Sequence, residues 1–233
     1  RPWLPTTLTP GPLEANALLS ISDKIESIEL SGAVTDFRYA LENESISARS
    51  SRTSFEGTIR PAGSSQIALR GDFADCELRF KTIPGGALTL AEAPPPEWTA
   101  SLSWGEDPFS YSGTLEQIAL RGGVKGRPLE LTRGTATFSN RDALFRTGGG
   151  LQLNGLALPF AFVQQAPSPD ASPNAQLTLG PVTLDGPHPL LAALLPSGEA
   201  PDLSGTFEAA IALRLPSEKA ASGTLDLTAT DAS

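Results

Sequence analysis

Side chains able to run acid–base or nucleophilic chemistry near neutral pH are scarce here: one histidine, His188, and one cysteine, Cys76. A Ser-His-Asp arrangement would have to use His188. It stands between Pro187 and Pro189 at the start of a helical stretch, which is a structural position, and no G-x-S-x-G accompanies it. Asp75 and Glu77 flank Cys76. Their charge is expected to raise the thiol pKa and leave an inert strand cysteine. One cysteine excludes an internal disulfide framework and any multi-cysteine metal site. Zinc wants several His or Cys ligands, and the chain offers one of each, far apart.

Asp72 with Asp75, and Glu106 with Asp107, are the carboxylate pairs that calcium or paired-acid chemistry would use. No Asp-rich loop with the required ligand number surrounds them, so they read as solvated turn acids. Gly148-Gly149-Gly150 and Gly122-Gly123-Val124-Lys125-Gly126-Arg127 have the composition of anion cradles. No helix follows either one, and hairpin turns or bulges are the simpler reading. Asn43-Glu44-Ser45 matches a glycosylation acceptor, a three-letter pattern that is common by chance. No catalytic residue, cofactor site or metal site is therefore expected.

Composition narrows the partners. The chain of 233 residues carries 26 acids against 17 bases, a net charge of -9. Nucleic acid needs a basic footprint, and none exists. No run of about 18 apolar residues is present, so no transmembrane helix is expected within this sequence. The absence of any Met, even at position 1, reads as a processed or trimmed chain with room for an upstream signal or anchor. Gly 22 and Pro 21 in an alternating background indicate many turns between short strands.

What must position any site is a repeated strand. Gln66-Ile67-Ala68-Leu69-Arg70-Gly71 recurs as Gln117-Ile118-Ala119-Leu120-Arg121-Gly122, and in degraded form as Ala210-Ile211-Ala212-Leu213-Arg214. A second phrase travels with it: Ser112-Gly113-Thr114-Leu115, Ser204-Gly205-Thr206-Phe207, Ser222-Gly223-Thr224-Leu225 and the related Glu56-Gly57-Thr58-Ile59. Apolar and polar residues alternate, the mark of a strand with one buried face. Ile28, Leu30, Gly32 and Val34 alternate on even numbers, then Phe37, Tyr39 and Leu41 on odd ones, so a β-bulge is expected at Asp36. Leu13 to Ser22 has the period of a short helix, against which a strand reading competes.

The expected fold is all-β: an antiparallel, twisted and curled sheet, groove or sandwich, with one short helix over residues 188–195. Pro189 suits the first turn of that helix and Pro196 ends it. Pro94-Pro95-Pro96 and the stretch from Pro167 to Pro173 are spacers. They divide the chain into regions 1–93, 97–166 and 174–233, expected to be pieces of one continuous sheet. The longest alternation, Leu203 to Leu215, places Phe207, Ile211 and Leu213 on one face. With one short helix to cover so much apolar strand, either two sheets face each other or one sheet leaves an apolar groove. The closed core is the commoner solution. If a groove forms, Ile67, Leu69, Ile118, Leu120, Phe207, Ile211 and Leu213 are its candidate lining.

The repeated Ser-Gly-Thr-Leu openings and the pair Leu151-Gln152-Leu153 resemble AsmA-like proteins of the Gram-negative envelope. So does the phrase His188-Pro189-Leu190-Leu191-Ala192-Ala193-Leu194-Leu195-Pro196 ahead of Leu203-Ser204-Gly205-Thr206-Phe207. The resemblance is one of style across much of the chain. It implies a long, curled sheet with an apolar inner groove, exported or facing the periplasm, often tied to the inner membrane by a separate segment. It further implies phospholipid passage or support of envelope assembly, with phospholipid, acyl chains or other envelope proteins as partners and no catalytic residues. The expectation is a non-enzymatic envelope module; a structural or interaction domain without a ligand is its alternative.

Overall fold

The computed structural model describes residues 7–40, 46–80, 86–91, 94–106, 108–124, 126–141, 144–166, 174–195, 197–214 and 222–232. In chain order they form β1 (Thr7–Thr9), β2 (Leu13–Ile21), β3 (Ile25–Ala40), β4 (Ile46–Ile59), β5 (Ser65–Asp72), β6 (Asp75–Phe80), β7 (Gly86–Leu90) and β8 (Glu97–Trp104). Then follow β9 (Ser110–Val124), β10 (Arg127–Ser139), β11 (Phe145–Leu153), β12 (Leu156–Gln164), β13 (Ala175–Asp185), α1 (Pro189–Leu194), β14 (Ser204–Arg214) and β15 (Ser222–Thr230). All fifteen strands belong to one sheet, and every pairing is antiparallel. The all-β expectation holds, with one small helix.

The spine runs β3-β4-β5-β8-β9-β10-β11-β12-β13-β14-β15. Between β4 and β9 it forks. The second half of β4 pairs with β5, and its start pairs with β6. Likewise β9 pairs with β8 through residues 110–116 and with β7 through residues 120–123. β5 with β6, and β7 with β8, are thus two strand rows, each broken once. Pro94 to Pro96 lies in the second break, where Pro96 O accepts from Phe73 N at 2.9 Å. Pairing of β5 with β8 and of β12 with β13 crosses both spacers, so the sheet is continuous through them.

Several elements differ from the sequence reading. Leu13 to Ser22 is strand β2, because pairing with β3 supplies partners that a marginal helix would lack. The polar stretch from Ser45 to Arg52 reads in sequence as a loop or an edge strand, but Ser47 to Arg49 are interior to the sheet, paired with β3 on one side and β6 on the other. Gly148-Gly149-Gly150 is not a turn: it lies mid-strand in β11. There a Cβ on Gly149 would strike the Thr135 carbonyl oxygen of β10. Gly122-Gly123 likewise lies within β9. Gln117, Arg133 and Gly180 lie at local irregularities within the long strands β9, β10 and β13.

Directly paired residues of an antiparallel sheet share a face, and the registers sort the whole sheet. One face carries Leu30, Val34, Phe37 and Tyr39 of β3 with Phe55 of β4, then Ile67 and Leu69 of β5 and Leu78 of β6. It continues through Leu88, Trp98, Leu115, Ile118, Leu120, Leu129, Leu131 and Phe138. Leu151, Leu158, Phe160, Phe162, Leu177, Val182, Phe207, Ile211, Leu213, Leu225 and Leu227 extend it to the last strand. The opposite face carries Ser, Thr, Gln, Glu and Arg. A strict two-residue period would lose this phase wherever a strand bends. Five strands keep it with one step of three residues: Val34 to Phe37, Ser50 to Thr53, Leu115 to Ile118, Leu131 to Gly134, and Leu179 to Val182. Asp36 (φ 53) and Gln117 (φ 58) are the left-handed residues in two of those steps. The phase slip expected at Asp36 is present, but not as a bulge: Thr35 pairs with Arg52 and Phe37 with Ser50 in one unbroken register, so both strands step together. The first four steps, with the breaks at Phe73–Ala74 and Pro94–Pro96, fall on neighbouring rows and form one crease across half the sheet.

The helix is local in origin and in effect. His188 caps it, Nδ1 accepting from Leu190 N at 3.2 Å, and Pro189 sits in its first turn. Six residues are too few to hold a helix alone. Leu190, 6% exposed, packs into Leu88, Leu120, Leu129 and Leu131, and the Arg127 guanidinium donates to the Ala192 carbonyl. That cluster is the only one of its kind among the described residues. No second sheet exists among them to cover the remaining apolar face. The chain exposes 14632 Å², whereas a compact protein of 24.3 kDa exposes about 10,000 Å². Of the two expected alternatives, groove or sandwich, the described residues thus form no sandwich of two facing sheets.

Candidate functional site

The seven candidate residues lie on the same face, but in different settings. Ile67 and Leu69 stand on β5 opposite Leu102 and Ala100 of β8, half-buried. Phe207, Ile211 and Leu213 stand on β14, opposite Val182, Leu177 and Ala175 on one side and Ala229, Leu225 and Gly223 on the other. Ile118 borders the cluster beneath α1, and Leu120, 3% exposed, belongs to it. Leu120 is thus a foundation of the helix contact, shielded from any ligand. The other six line the apolar face.

Several members of that face escaped the sequence reading: Phe55, Trp98, Phe138, Phe160 and Phe162. Three of them follow one rule. Gly32 pairs with Phe55, Gly71 with Trp98, and Gly113 with Phe138. In each case the ring lies where a glycine Cβ would stand, 2.6 Å from Phe55 Cζ, 2.7 Å from Trp98 Cε2 and 2.9 Å from Phe138 Cε1. Gly32, Gly71 and Gly113 thus each make room for an aromatic ring of the neighbouring strand. Trp98 also carries a buried indole nitrogen without a hydrogen-bond partner. Packing of its ring on Gly71 and beside Phe73, with centroids 6.4 Å apart, offsets that loss.

The polar face is knitted by its own side chains. Thr99 and Thr114 hydroxyls bond at 2.9 Å, and Gln66 Nε2 donates to Ser101 at 3.2 Å. Arg70 pairs with Glu97 at 2.8 Å and Arg121 with Glu130 at 2.9 Å. A depression of about 820 Å³ opens there over Ser101, Ser112, Thr114, Thr137 and Ser139. Its hydroxyls are partly engaged with one another, as in the Thr99–Thr114 pair.

Titratable groups divide between the two faces. Cys76 lies on the apolar face, paired with Ala48; burial, and then the charge of Asp75, push its thiol up to about 11. Burial is the larger cause, where the sequence suggested the flanking acids alone. Asp72 is not a solvated turn acid. Ser50 Oγ, Ser51 Oγ and the backbone N–H groups of Ser51 and Arg52 all donate to it, at 3.1, 2.5, 3.0 and 3.4 Å. Burial pushes its carboxyl up, but those bonds together outweigh it and leave the group below the ordinary carboxylate value. Asp72 thereby pins the crease where β4 passes from β6 to β5. Asp36 bonds Arg38 and Arg49 at the same crease, at 3.1 and 3.5 Å. His188 is spent on capping α1. Among the described residues no group of three or more His, Cys, Asp or Glu side chains is gathered to hold a metal ion, and no helix is long and apolar enough to cross a membrane. Asn43 and Asp107 lie outside the described residues.

What this arrangement offers chemically is apolar surface on one face of the sheet, with polar side chains, partly engaged with one another, on the other. No protein-family model matches the chain, and no curated protein and no solved structure does either.

Proposed function

We propose that this protein is a non-enzymatic module of the cell envelope, exported or periplasmic, that holds or passes an acyl-chain lipid along the apolar face of its sheet. One observation carries the reading: apart from Val163 of β12, the large apolar side chains of the described strands keep to a single face from β3 to β15, through five three-residue steps. Phase maintained at that many bends supports a continuous apolar surface as the working part of the molecule. Among the described residues only α1 lies over it, at the β7, β9 and β10 cluster. Apolar surface of this extent marks an interaction site, and rows of Leu, Ile and Phe suit hydrocarbon chains in any register. The resemblance to AsmA-like envelope proteins points the same way.

The test is displacement of a fluorescent fatty acid by phospholipid, on wild type and on Ile211→Asp and Leu213→Asp variants that keep the β circular dichroism spectrum. Binding by wild type that weakens at least severalfold in both variants is expected. Absence of binding by wild type overturns the lipid reading. A structural or interaction domain without a ligand is the second reading, and one observation favours it: the most exposed large apolar residues gather on the two outermost strands.

A further inference from the structure

Of the ten most exposed large apolar residues among those described, seven lie on the two edge hairpins: Leu13, Leu18, Leu19, Ile21 and Ile25 at one end, Leu225 and Leu227 at the other. Edge strands present unpaired N–H and C=O groups and are usually blunted by Pro, Lys or a bulge within them. Neither β2, LEANALLSI, nor β15, SGTLDLTAT, contains Pro or Lys, and the one irregularity in β2 lies at its end, between Ser20 and Ile21. Each has nine residues, and among the described residues neither pairs on its outer side.

The topology makes these two edges complementary. From β2 through β3, β4, β5, β8 and β9 to β15 there are twelve strands, each antiparallel to the next. An even number means that β2 and β15 run in opposite directions. Set side by side in two copies, β15 of one and β2 of the other are antiparallel, with their apolar faces on the same side. One register then pairs large with small throughout: Leu13 with Ala229, Ala15 with Leu227, Ala17 with Leu225, and Leu19 with Gly223. On the polar face the same register sets Asn16 opposite Asp226 and Glu14 opposite Thr228, so no two acids meet. Centred self-pairing of β15 would instead oppose Asp226 to its own copy.

We propose that the partner of the β15 edge is the β2 edge of a second copy of this chain, added by strand pairing so that the sheet and its apolar face continue from one copy into the next. This does not rest on the lipid reading. The contact is head-to-tail, so it propagates into larger assemblies and does not stop at a two-fold dimer.

The experiment is light scattering of the wild-type chain over a wide concentration range, beside Leu227→Lys. Leu227 is 74% exposed, so the lysine leaves the fold intact while placing a charge in the contact. The expected result is a mass that rises with concentration for wild type and stays monomeric for the variant. A second measurement fixes the geometry. In a Cys76→Ser background, Ala17→Cys and Leu225→Cys chains are oxidised separately and mixed. A disulfide-linked dimer in the mixture alone is expected. A wild-type mass that stays monomeric throughout, or cross-linking of Leu225→Cys with itself as efficient as in the mixture, overturns the proposal.

Discussion

Phe138 of β10 lies across Gly113 of β9, its direct partner in the ladder, with Cε1 2.9 Å from where a Gly113 Cβ would be. Such a Cβ would also strike the Thr99 carbonyl oxygen of β8, so backbone as well as ring would have to shift. Gly113→Ala is therefore expected to destabilise the protein by about 1–3 kcal/mol, the usual cost of overpacking. Gly150→Ala, with nothing within 4 Å of the new methyl, is its control and should be near neutral. Urea denaturation of the pair checks this; equal midpoints would show that the ring yields freely.

The two copies of Gln-Ile-Ala-Leu-Arg-Gly test the face assignment. In the second copy Leu120 is buried beneath α1 while Ala119 faces the polar side. Leu120→Ala should cost about 2–5 kcal/mol as a core truncation, and Leu120→Asp should prevent folding. Ala119→Glu should change the denaturation midpoint little. Comparable losses at both positions would mean that the strand is set the other way round.

Those copies also show how far the sequence could be read. Alternation gave the strands, and the slip after Asp36 gave the change of phase, because both are local; that β4 steps in concert, so that no bulge forms, was not legible. The same six residues at 66–71 run as regular strand, yet at 117 they open with a left-handed Gln117. The difference comes from β9 having to pair with β8 and then with β7, a demand invisible within the hexapeptide. For the same reason Leu13 to Ser22 imitates a helix, and Gly148 to Gly150 a turn. The apolar candidates on β5 and β14 were legible as a face. That Leu120 would be sealed beneath α1 was not, since the helix and its footprint are about 70 residues apart in the chain.

Asp72 gives the fold a definite acid sensitivity. Its carboxyl is held below the ordinary value in the folded chain, so it contributes stability that is present above about pH 4, the unfolded carboxylate value. That contribution is lost as pH falls toward and through the folded value. Asp72→Asn should cost about 1 kcal/mol at pH 7, toward the low end for charge-assisted bonds because the group is only partly buried. The gap between variant and wild type should shrink at pH 3. Denaturation midpoints at the two pH values measure it; a gap that widens on acidification would contradict this sign.

Cys76, with its thiol near 11, should alkylate at pH 8 roughly a hundredfold more slowly than an unfolded thiol of ordinary pKa. Mass spectrometry after iodoacetamide, with and without urea, reads the ratio. Full-rate modification of the folded chain would place the thiol outside the apolar face.

The last prediction separates the helix from the sheet it covers. α1 has six residues and stays in place through Leu190 and the bond from Arg127 to Ala192. The sheet beneath is joined by ladders that do not involve the helix. Leu190→Ser should therefore release α1 and expose Leu88, Leu120, Leu129 and Leu131 while the strands persist. Far-UV circular dichroism should keep its β form, and a hydrophobic dye should bind more strongly than to wild type. Burying one leucine is worth about 1.5–3 kcal/mol, against the 5–15 kcal/mol typical of a whole domain, so the loss should stay local. If the β spectrum collapses as well, the cluster under α1 is the foundation on which β6, β7, β9 and β10 assemble, and the helix is not a detachable cover.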